Sequence, residues 1–146
     1  MREDQAVKAG DIYGPSSWID VPQERIDAFA DATGDHQWIH VEPAKAKDGP
    51  FGTTIAHGYL TLSLAPMLMR EVMVVNGMRM GINYGLNKLR FPTPVPVGAK
   101  LRLGAQLAGV EDVSGGGVQA TVDMTFELDG ESKPACVAQG VYRYYA

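Results

Sequence analysis

Two stretches in the C-terminal half of the chain alternate between apolar and polar residues. Apolar residues occupy every second position from Leu101 to Leu107, and the same alternation runs from Val118 to Leu128. A period of two predicts strands with one buried face and one face in water. Ser114-Gly115-Gly116-Gly117 lies between the stretches, so we predict that they form a hairpin.

Further strands are predicted on either side of this hairpin. The segments from Tyr84 to Phe91 and from Ala135 to Tyr145 bring the number of strands to at least four, and Asp129-Gly130 marks the last turn. Pro92, Pro94 and Pro96 keep their segment out of any central strand. Ile12 to Ile19 is predicted as a short opening strand that Gly14-Pro15 interrupts.

The N-terminal half predicts helices instead. Asp20 followed by Val21-Pro22 is typical of a helix start, and Gly34 ends the helical spacing. A short helix is predicted over Glu42 to Lys47 in an otherwise polar connection. The segment from Ile55 to Val75 is apolar on all sides, which predicts a buried helix, with a kink or break at Pro66.

Helices followed by consecutive antiparallel strands indicate an α+β fold, in which one sheet wraps one buried helix. The 146 residues correspond to about one domain, and we expect a single domain over residues 1–146. A single sheet on one helix leaves open strand edges and a half-covered core. Pairing of two copies would cover both, so a homodimer is expected.

Composition restricts the class of protein. Hydrophobic residues make up 45% of the chain and charged residues 21%, with a net charge of −4, which argues against a disordered tail and against a nucleic-acid scaffold. The single cysteine, Cys136, excludes an internal disulfide framework and favours a reducing compartment. The charged segment Met1 to Gln5 does not resemble a secretory signal, and the apolar segment contains Arg70 and Glu71, so we expect a cytoplasmic protein without membrane spans.

The residues suited to chemistry are concentrated beside the most apolar segment. All three histidines, His36, His40 and His57, lie in the polar connection or just after it. Asp35 and His40 follow the helix-ending Gly34, and a carboxylate with an imidazole is sufficient to hold and activate one water. The alternative is that Asp35 caps a turn and His40 is a surface residue.

The start of the apolar segment is a second candidate feature. Gly58 follows His57 near the first turn of the predicted buried helix, where free N–H groups can bind an oxyanion. The alternative is that Gly58 only permits close packing and that His57 only caps the helix.

The histidine spacing also allows a metal centre, which the predicted helix end makes less favourable. His36 and His40 are four residues apart and Asp35 could add a carboxylate, but Gly34-Asp35 reads as a helix end, so the two histidines are not expected to share a helical face. The chain contains no phosphate-binding glycine loop and no nucleophilic-serine motif. We therefore expect neither a metal nor a cofactor, and no nucleic-acid partner.

Taken together, these motifs resemble those of a known family. Thr33-Gly34-Asp35, His40, Phe51-Gly52 and Ile55-Ala56-His57-Gly58 resemble the hydratase signature of the MaoC-like dehydratases, which include the (R)-specific enoyl-CoA hydratases. Trp38-Ile39-His40 and Leu89-Arg90-Phe91-Pro92 are similar to the branch related to the nodulation protein N group. The resemblance implies a hot-dog fold, assembled as a dimer, and reversible hydration of a trans-2-enoyl thioester to an (R)-3-hydroxyacyl thioester.

The resemblance also implies roles for individual residues. Asp35 and His40 are then the catalytic pair, the Gly58 N–H binds the thioester oxygen, and Ser63 supports Asp35. The commonest form of the family has Asn-Pro between the Asp and the His. This sequence departs from it, with Gln37-Trp38 at that place. Gln37 is expected to supply the hydrogen bonds of the missing asparagine, and Trp38 to affect the acyl tunnel.

Other contacts and functions remain open at this stage. We expect His57, Asn83 and Arg90 to contact the substrate, which is an acyl-CoA or an acyl carrier protein thioester. Leu60, Leu62 and Leu64 line an acyl tunnel or simply form core. The alternative functions are an acyl-CoA thioesterase, which a hot-dog fold also accommodates, and a non-catalytic acyl-CoA-binding module.

Overall fold

A computed structural model describes residues 7–146. These residues form one six-stranded antiparallel sheet, with strands of different lengths, and five short helices. The strands are β1 (Ile12–Tyr13), β2 (Ile19–Asp20), β3 (Met80–Arg90), β4 (Lys100–Val113), β5 (Gly117–Leu128) and β6 (Cys136–Tyr145). The helices are α1 (Gln23–Thr33), α2 (Trp38–Val41), α3 (Pro43–Ala46), α4 (Gly58–Ser63) and α5 (Ala65–Val72).

The β4–β5 hairpin is the centre of the sheet and confirms the alternation predicted from the sequence. The sheet order is β1-β4-β5-β6-β3, and β2 also pairs with β4. Every second residue is buried from Leu101 to Leu107 and from Ala120 to Leu128, including Leu103, Val122 and Phe126. The alternation in β4 ends near Leu107 because the register with β5 shifts between Leu107 and Gly109, and the strand continues to Val113 beyond this bulge.

The predicted turns and breaks are also found. Gly115 and Gly116, in the hairpin turn, have φ of 81° and 75°, a backbone region that favours glycine. The opening strand is split into β1 and β2 on either side of Gly14-Pro15. The α+β interpretation is therefore confirmed, with a sheet that wraps the helical segment α4–α5.

The helical segment differs in two respects from the sequence prediction. It begins at Gly58 rather than Ile55, because the Ala56 N–H donates to the carbonyl of Val95, and it breaks at Leu64, just before Pro66. Only one side of it is buried against the sheet, and Tyr59 and Met67 on the remaining surface are 67% and 41% exposed. Apolar character on all sides therefore does not mean burial on all sides within one chain.

Two local predictions were wrong. Asp20 does not cap α1: it lies on β2, 3.6 Å from the Lys100 ammonium, and Pro22 occupies the N-cap position. The polar connection also contains the helix α2, which the sequence analysis missed, in addition to α3 at the predicted short helix.

Two remaining expectations concern the whole chain. In the part that the structure describes, no helix is both long and apolar enough to cross a membrane. The predicted lack of a secretory signal concerns residues 1–5, which lie outside the described residues. The single-domain assignment of residues 1–146 likewise stays a prediction.

Candidate active site

Three elements that are distant along the chain meet where α1 ends. Gly34 takes a left-handed conformation with φ of 83° and donates its N–H to Ala30 at 2.8 Å, which ends α1 and turns the chain into Asp35. Helix α2 carries His40, and His57 precedes α4. One ring nitrogen of each histidine and a carboxylate oxygen of Asp35 lie within 4.8 Å of one another. We call these three residues and Gly58 the active-site corner.

His40 is buried and its hydrogen-bond partner fixes its tautomer. Its Nδ1 lies 2.7 Å from the carbonyl oxygen of Ile55, and because a carbonyl can only accept, Nδ1 carries the hydrogen. The neutral ring therefore leaves Nε2 unprotonated. Burial lowers the pKa of His40 below its ordinary value of 6.5, against the hydrogen bond to Ile55, so the ring is neutral at pH 7. The sequence alternative of a surface His40 was wrong.

Asp35 is exposed and faces the corner from its rim. Its carboxylate Oδ1 accepts the main-chain N–H of Gln37 at 3.3 Å, and its own carbonyl accepts a hydrogen bond from His57 at 2.9 Å. A water with two hydrogen bonds of about 2.8 Å at a tetrahedral angle spans about 4.6 Å, which is close to the limit of separation given above. The corner can thus hold one water between the Asp35 carboxylate and the His40 ring.

His57 is packed between two rings. Its ring stacks on His40 with centroids 3.9 Å apart and planes inclined by 23°, and Phe29 lies 4.9 Å away. Its Nε2 donates to the Asp35 carbonyl, while the buried Nδ1 has no hydrogen-bond partner among residues 7–146. His57 occupies the N-cap position of α4 but makes no side-chain capping bond, so the capping interpretation was wrong.

Gly58 is the first residue of α4, and its N–H therefore has no acceptor within the helix. The ring of Phe91 covers its Cα: a Cβ at this position would lie 3.0 Å from three atoms of that ring. Close packing and a free N–H thus both apply to Gly58, and the two sequence interpretations do not exclude each other.

Two residues that support His40 were not predicted from the sequence. The Gln23 amide donates to the His40 carbonyl at 2.7 Å, and the buried hydroxyl of Thr54 donates to Gln23 at 2.6 Å. Phe29 lies on α1, within the helix that the sequence predicts before Gly34, and Phe91 was named only as part of a motif. Helical spacing could have placed Gln23 and Phe29 on α1, but no local signal indicates their partners across the chain.

Several predicted site residues lie outside the corner. The exposed Ser63 donates its hydroxyl to the Tyr59 carbonyl at 2.6 Å, and no described hydrogen bond joins it to Asp35, so its predicted support of Asp35 is not found within one chain. The geometry of Gln37 supports Asp35 through the main chain rather than the side chain. Asn83 and Arg90 are exposed on β3, and Arg90 directly precedes Phe91.

The apolar and aromatic residues near the corner have clear positions. Leu60 and Leu64 are buried in the main core, and Leu62 packs partly buried against it, which supports the core interpretation of these leucines. Trp38 packs on Gly49 with the Lys45 ammonium over its ring at 4.9 Å. Trp38 thus contacts the loop after α3.

A metal ion does not suit the corner, although Asp35, His40 and His57 are of the right types. Two nearly parallel stacked rings cannot both direct their lone pairs at one ion, because each lone pair lies in its own ring plane. His36, the other histidine weighed for a metal, is exposed and bonded to Asp31 at 2.9 Å. The expectation of no metal nevertheless stays a prediction.

The corner does not coincide with a large cavity found elsewhere in the described residues. A cavity of about 1050 Å³ opens at the far end of the helical segment, where Val72 and Met73 face Leu107 and Tyr144. It is lined by neither His40 nor Gly58. We assign the candidate site to the corner because reactive groups, rather than volume, decide where chemistry occurs.

Comparison with known proteins supports the motif assignment. The family model of the MaoC-like domain matches residues 5–127. The chain is 56% identical over 143 residues to 3-hydroxyacyl-thioester dehydratase Z of Mycobacterium tuberculosis, covering 98% of this chain and 95% of that protein. It is 41% identical over 136 residues to nodulation protein N of Rhizobium leguminosarum bv. viciae, covering 92% and 84%.

Solved structures agree with the fold. The (R)-hydratase from A. caviae involved in PHA biosynthesis superposes with a TM-score of 0.77 at 23% identity, covering 94% of this chain and 97% of that one. At this identity the likeness concerns the fold alone, and it identifies the sheet and helical segment as a hot-dog arrangement.

Proposed function

Because the chain belongs to the MaoC-like domain family, we propose that it is a hydro-lyase that adds water reversibly to a trans-2-enoyl thioester and forms the (R)-3-hydroxyacyl thioester. The observation that carries this proposal is the meeting of the His40 ring, whose Nε2 is unprotonated, with the Asp35 carboxylate: one ring nitrogen of His40 and a carboxylate oxygen of Asp35 lie within 4.8 Å of each other. The relative that is 56% identical is named for the dehydration of a 3-hydroxyacyl thioester, the reverse of the same reaction.

The thioester carbonyl docks on the Gly58 N–H. Negative charge develops on this oxygen as water adds to the β-carbon, and a free N–H at a helix start stabilises it. By analogy with acyl transfer, one such donor contributes roughly 3–4 kcal/mol to the transition state. Phe91 covers Gly58 and leaves no room there for a side chain.

His40 acts as the general base. Its neutral Nε2 takes one proton from the water, whose oxygen bonds to the β-carbon, while the other hydrogen stays on the oxygen and donates to the Asp35 carboxylate. The imidazolium that forms is held by the Ile55 carbonyl at Nδ1. It then returns the same proton to the α-carbon, so one water is added and both residues are regenerated.

The stereochemistry follows from the position of the two groups. His40 and Asp35 lie on one side of the site, so the hydroxyl and the proton reach the same face of the double bond. Syn addition from one face gives one enantiomer, and the family resemblance implies that it is (R). The carrier is CoA or acyl carrier protein, with Asn83 and Arg90 as the residues proposed to contact it.

The assay that tests this function follows wild-type protein with crotonyl-CoA. We expect loss of the enoyl-thioester absorbance without release of free thiol, and 3-hydroxybutyryl-CoA of (R) configuration on chiral analysis. Thiol release from a saturated acyl-CoA without hydration would identify a thioesterase instead. Binding of crotonyl-CoA without turnover would identify a non-catalytic module, and either outcome rejects the proposal.

A homodimer is part of the proposal, and the exposed apolar face of β3 supports it. β3 is an edge strand, and Met80, Ile82, Tyr84 and Leu86 on it are 40–59% exposed. Phe91 directly follows this strand and covers Gly58, so the end of β3 lies at the active-site corner. A second copy paired along β3 would cover this surface and close the site.

Sedimentation of Leu86→Lys tests the interface. We expect this charge on the exposed face of β3 to convert a dimer into a monomer. Val110→Lys is the control, because Val110 on β4 is similarly exposed, at 41% against 42%. A monomeric wild type, or a dimer that both variants retain, contradicts pairing through β3.

The proposal also includes a cytoplasmic location. The single cysteine of the chain, Cys136, is buried and forms no disulfide, which supports a reducing compartment.

A further inference from the structure

His57 combines three features that a purely structural residue would not need. The residue is 3% exposed, its Nε2 donates to the main chain of Asp35, and no group in the described part of the chain forms a hydrogen bond with its buried Nδ1. A buried polar atom without a hydrogen bond lowers the stability of the fold. An apolar ring of the same shape would fill the space between Phe29 and His40 without this cost, so stability alone does not explain the histidine.

The hydrogen bond of His57 acts on the segment that carries Asp35. Asp35 is exposed and directly follows the end of α1 at Gly34. The hydrogen bond from His57 Nε2 to the Asp35 carbonyl, 2.9 Å long, holds this residue in the corner. The other described hydrogen bonds of Asp35 are longer: its N–H lies 3.4 Å from the Thr33 hydroxyl, and the Gln37 N–H lies 3.3 Å from Oδ1.

The ring of His57 acts on His40. The two rings stack at 3.9 Å, and the His40 Nδ1 bond to Ile55 fixes only one point of its ring. Stacking limits rotation of the ring about that bond and therefore sets the direction in which Nε2 points. His57 is also the residue next to Gly58, so the same residue borders all three groups of the proposed reaction.

We propose that His57 is a positioning residue that fixes the Asp35 main chain through Nε2–H and the His40 ring plane through stacking. This inference rests on the proposed hydratase function. It assigns His57 no contact with the reacting atoms, in place of the substrate contact expected from the sequence. Its effect is on the alignment of the water between Asp35 and His40, to which rates are sensitive at displacements of about 1 Å.

Two variants separate the roles of the ring and of the N–H. His57→Phe keeps a flat ring but loses the donor, whereas His57→Gln keeps an N–H at a similar reach but loses the ring. We expect kcat for crotonyl-CoA hydration to fall about 10- to 100-fold in His57→Phe, with KM changed by about twofold or less. We expect His57→Gln to recover a clear part of this loss, since it can still hold the Asp35 carbonyl.

Stability and a matched histidine provide the controls. The unfolding midpoint in urea should change little in His57→Phe, because the lost bond is offset by removal of the unpaired Nδ1. His36→Gln, at the exposed histidine bonded to Asp31, should retain wild-type kcat. Wild-type kcat in folded His57→Phe overturns the proposal, and so does a loss of kcat that only accompanies unfolding.

Nitrogen NMR of the imidazoles tests the geometry without any turnover. The chain has three histidines, so their signals can be assigned by single substitutions. We expect His57 with its hydrogen on Nε2 and His40 with its hydrogen on Nδ1 in the substrate-free protein. A hydrogen on Nδ1 of neutral His57 overturns the inference even if hydration is observed. The expected tautomers in a protein without hydratase activity would reject the proposed function and leave the geometry standing.

Discussion

The sheet core and the active-site corner bury their side chains in different ways. In the sheet, Leu103, Val122 and Phe126 are fully buried, and their alternation along the strands places them on one face. In the corner, His40 and His57 are almost as deeply buried, but each is polar and depends on a main-chain carbonyl from a distant segment. Core residues gain free energy from burial itself, whereas the histidines gain it only where their nitrogens find partners.

This difference separates what the two regions contribute. Apolar packing in the sheet stabilises the fold. Burial of the unpaired Nδ1 of His57 and of the neutral His40 ring in the corner lowers the free energy of unfolding, and the packing of the sheet offsets this loss. Substitutions in the corner are therefore expected to change rates more than stability, and substitutions in the sheet to do the reverse.

The largest expected effect is on rate, in Asp35→Asn and His40→Gln. Each removes one partner of the water, and general acid–base residues typically contribute about 10²- to 10⁴-fold. Steady-state hydration of crotonyl-CoA measures the loss, with His36→Gln as the control. Rates close to wild type in both folded variants would contradict the assignment of the catalytic pair.

Phe126→Ala tests the other half of the comparison. Phe126 is fully buried on β5, and truncation of a buried Phe typically costs roughly 3–5 kcal/mol of unfolding free energy. Urea unfolding measures this cost. The kcat of the protein that remains folded should stay near wild type, and a selective loss of kcat at full stability would show that the two regions are not separable in this way.

Gly58→Ala is expected to have an intermediate effect on rate. The added Cβ would lie 3.0 Å from the Phe91 ring, so the ring or the start of α4 must shift and the N–H moves with it. We expect kcat/KM to fall about 10- to 100-fold. Gly104→Ala on β4 is the control, because a Cβ there meets nothing within 4 Å. Equal rates in the two variants would argue against the role of Gly58.

The smallest effects are expected from pH, and they differ in sign between two histidines. The pKa of buried His40 is lowered, so the unfolded chain takes up a proton first and stability falls as pH drops below about 6.5 towards the folded pKa. The pKa of exposed His36 is raised by its hydrogen bond to Asp31, so its contribution is present below about 6.5 and is lost as pH rises through its folded pKa.

The free energy of unfolding in urea, measured at several pH values between 5 and 7, reports both contributions. This range extends about one pH unit on either side of pH 6. His40→Gln should weaken the loss of stability at acidic pH, and His36→Gln should strengthen it. The kcat/KM of wild type should also persist below pH 6.5, because His40 must be neutral to act as a base. An acid limb of kcat/KM above 6.5 would contradict the lowered pKa.

The strands were the most predictable part of the molecule. The alternation in β4 and β5 and the glycine turn between them are local patterns, and both strands and turn were found where the sequence placed them. Helix α2 was missed because four residues are too few to show a helical period. Asp20 was misplaced because pairing of β2 with β4 outweighs its preference for a helix start.

The candidate site was predictable in its residue types but not in its contacts. The spacing of Asp35, His40 and His57-Gly58 identified the residues that meet, together with the family resemblance. The support of His40 by Gln23 joins residues 17 positions apart, and no periodicity in the sequence encodes it. Ser63 was expected beside Asp35, yet in one chain its hydroxyl returns to its own helix at Tyr59.

The sequence by itself determined which faces of the strands are dry, where the chain turns and which polar residues stand next to the apolar segment, because these depend on neighbours a few positions away. The tertiary structure alone decided which nitrogen of each histidine carries the hydrogen, since that choice depends on carbonyls 15 and 22 residues distant. It also decided that His57 stacks on His40 and that Phe91 covers Gly58. Hydrogen bonds and ring contacts act over a few ångströms, so they are fixed only once folding has brought these segments together.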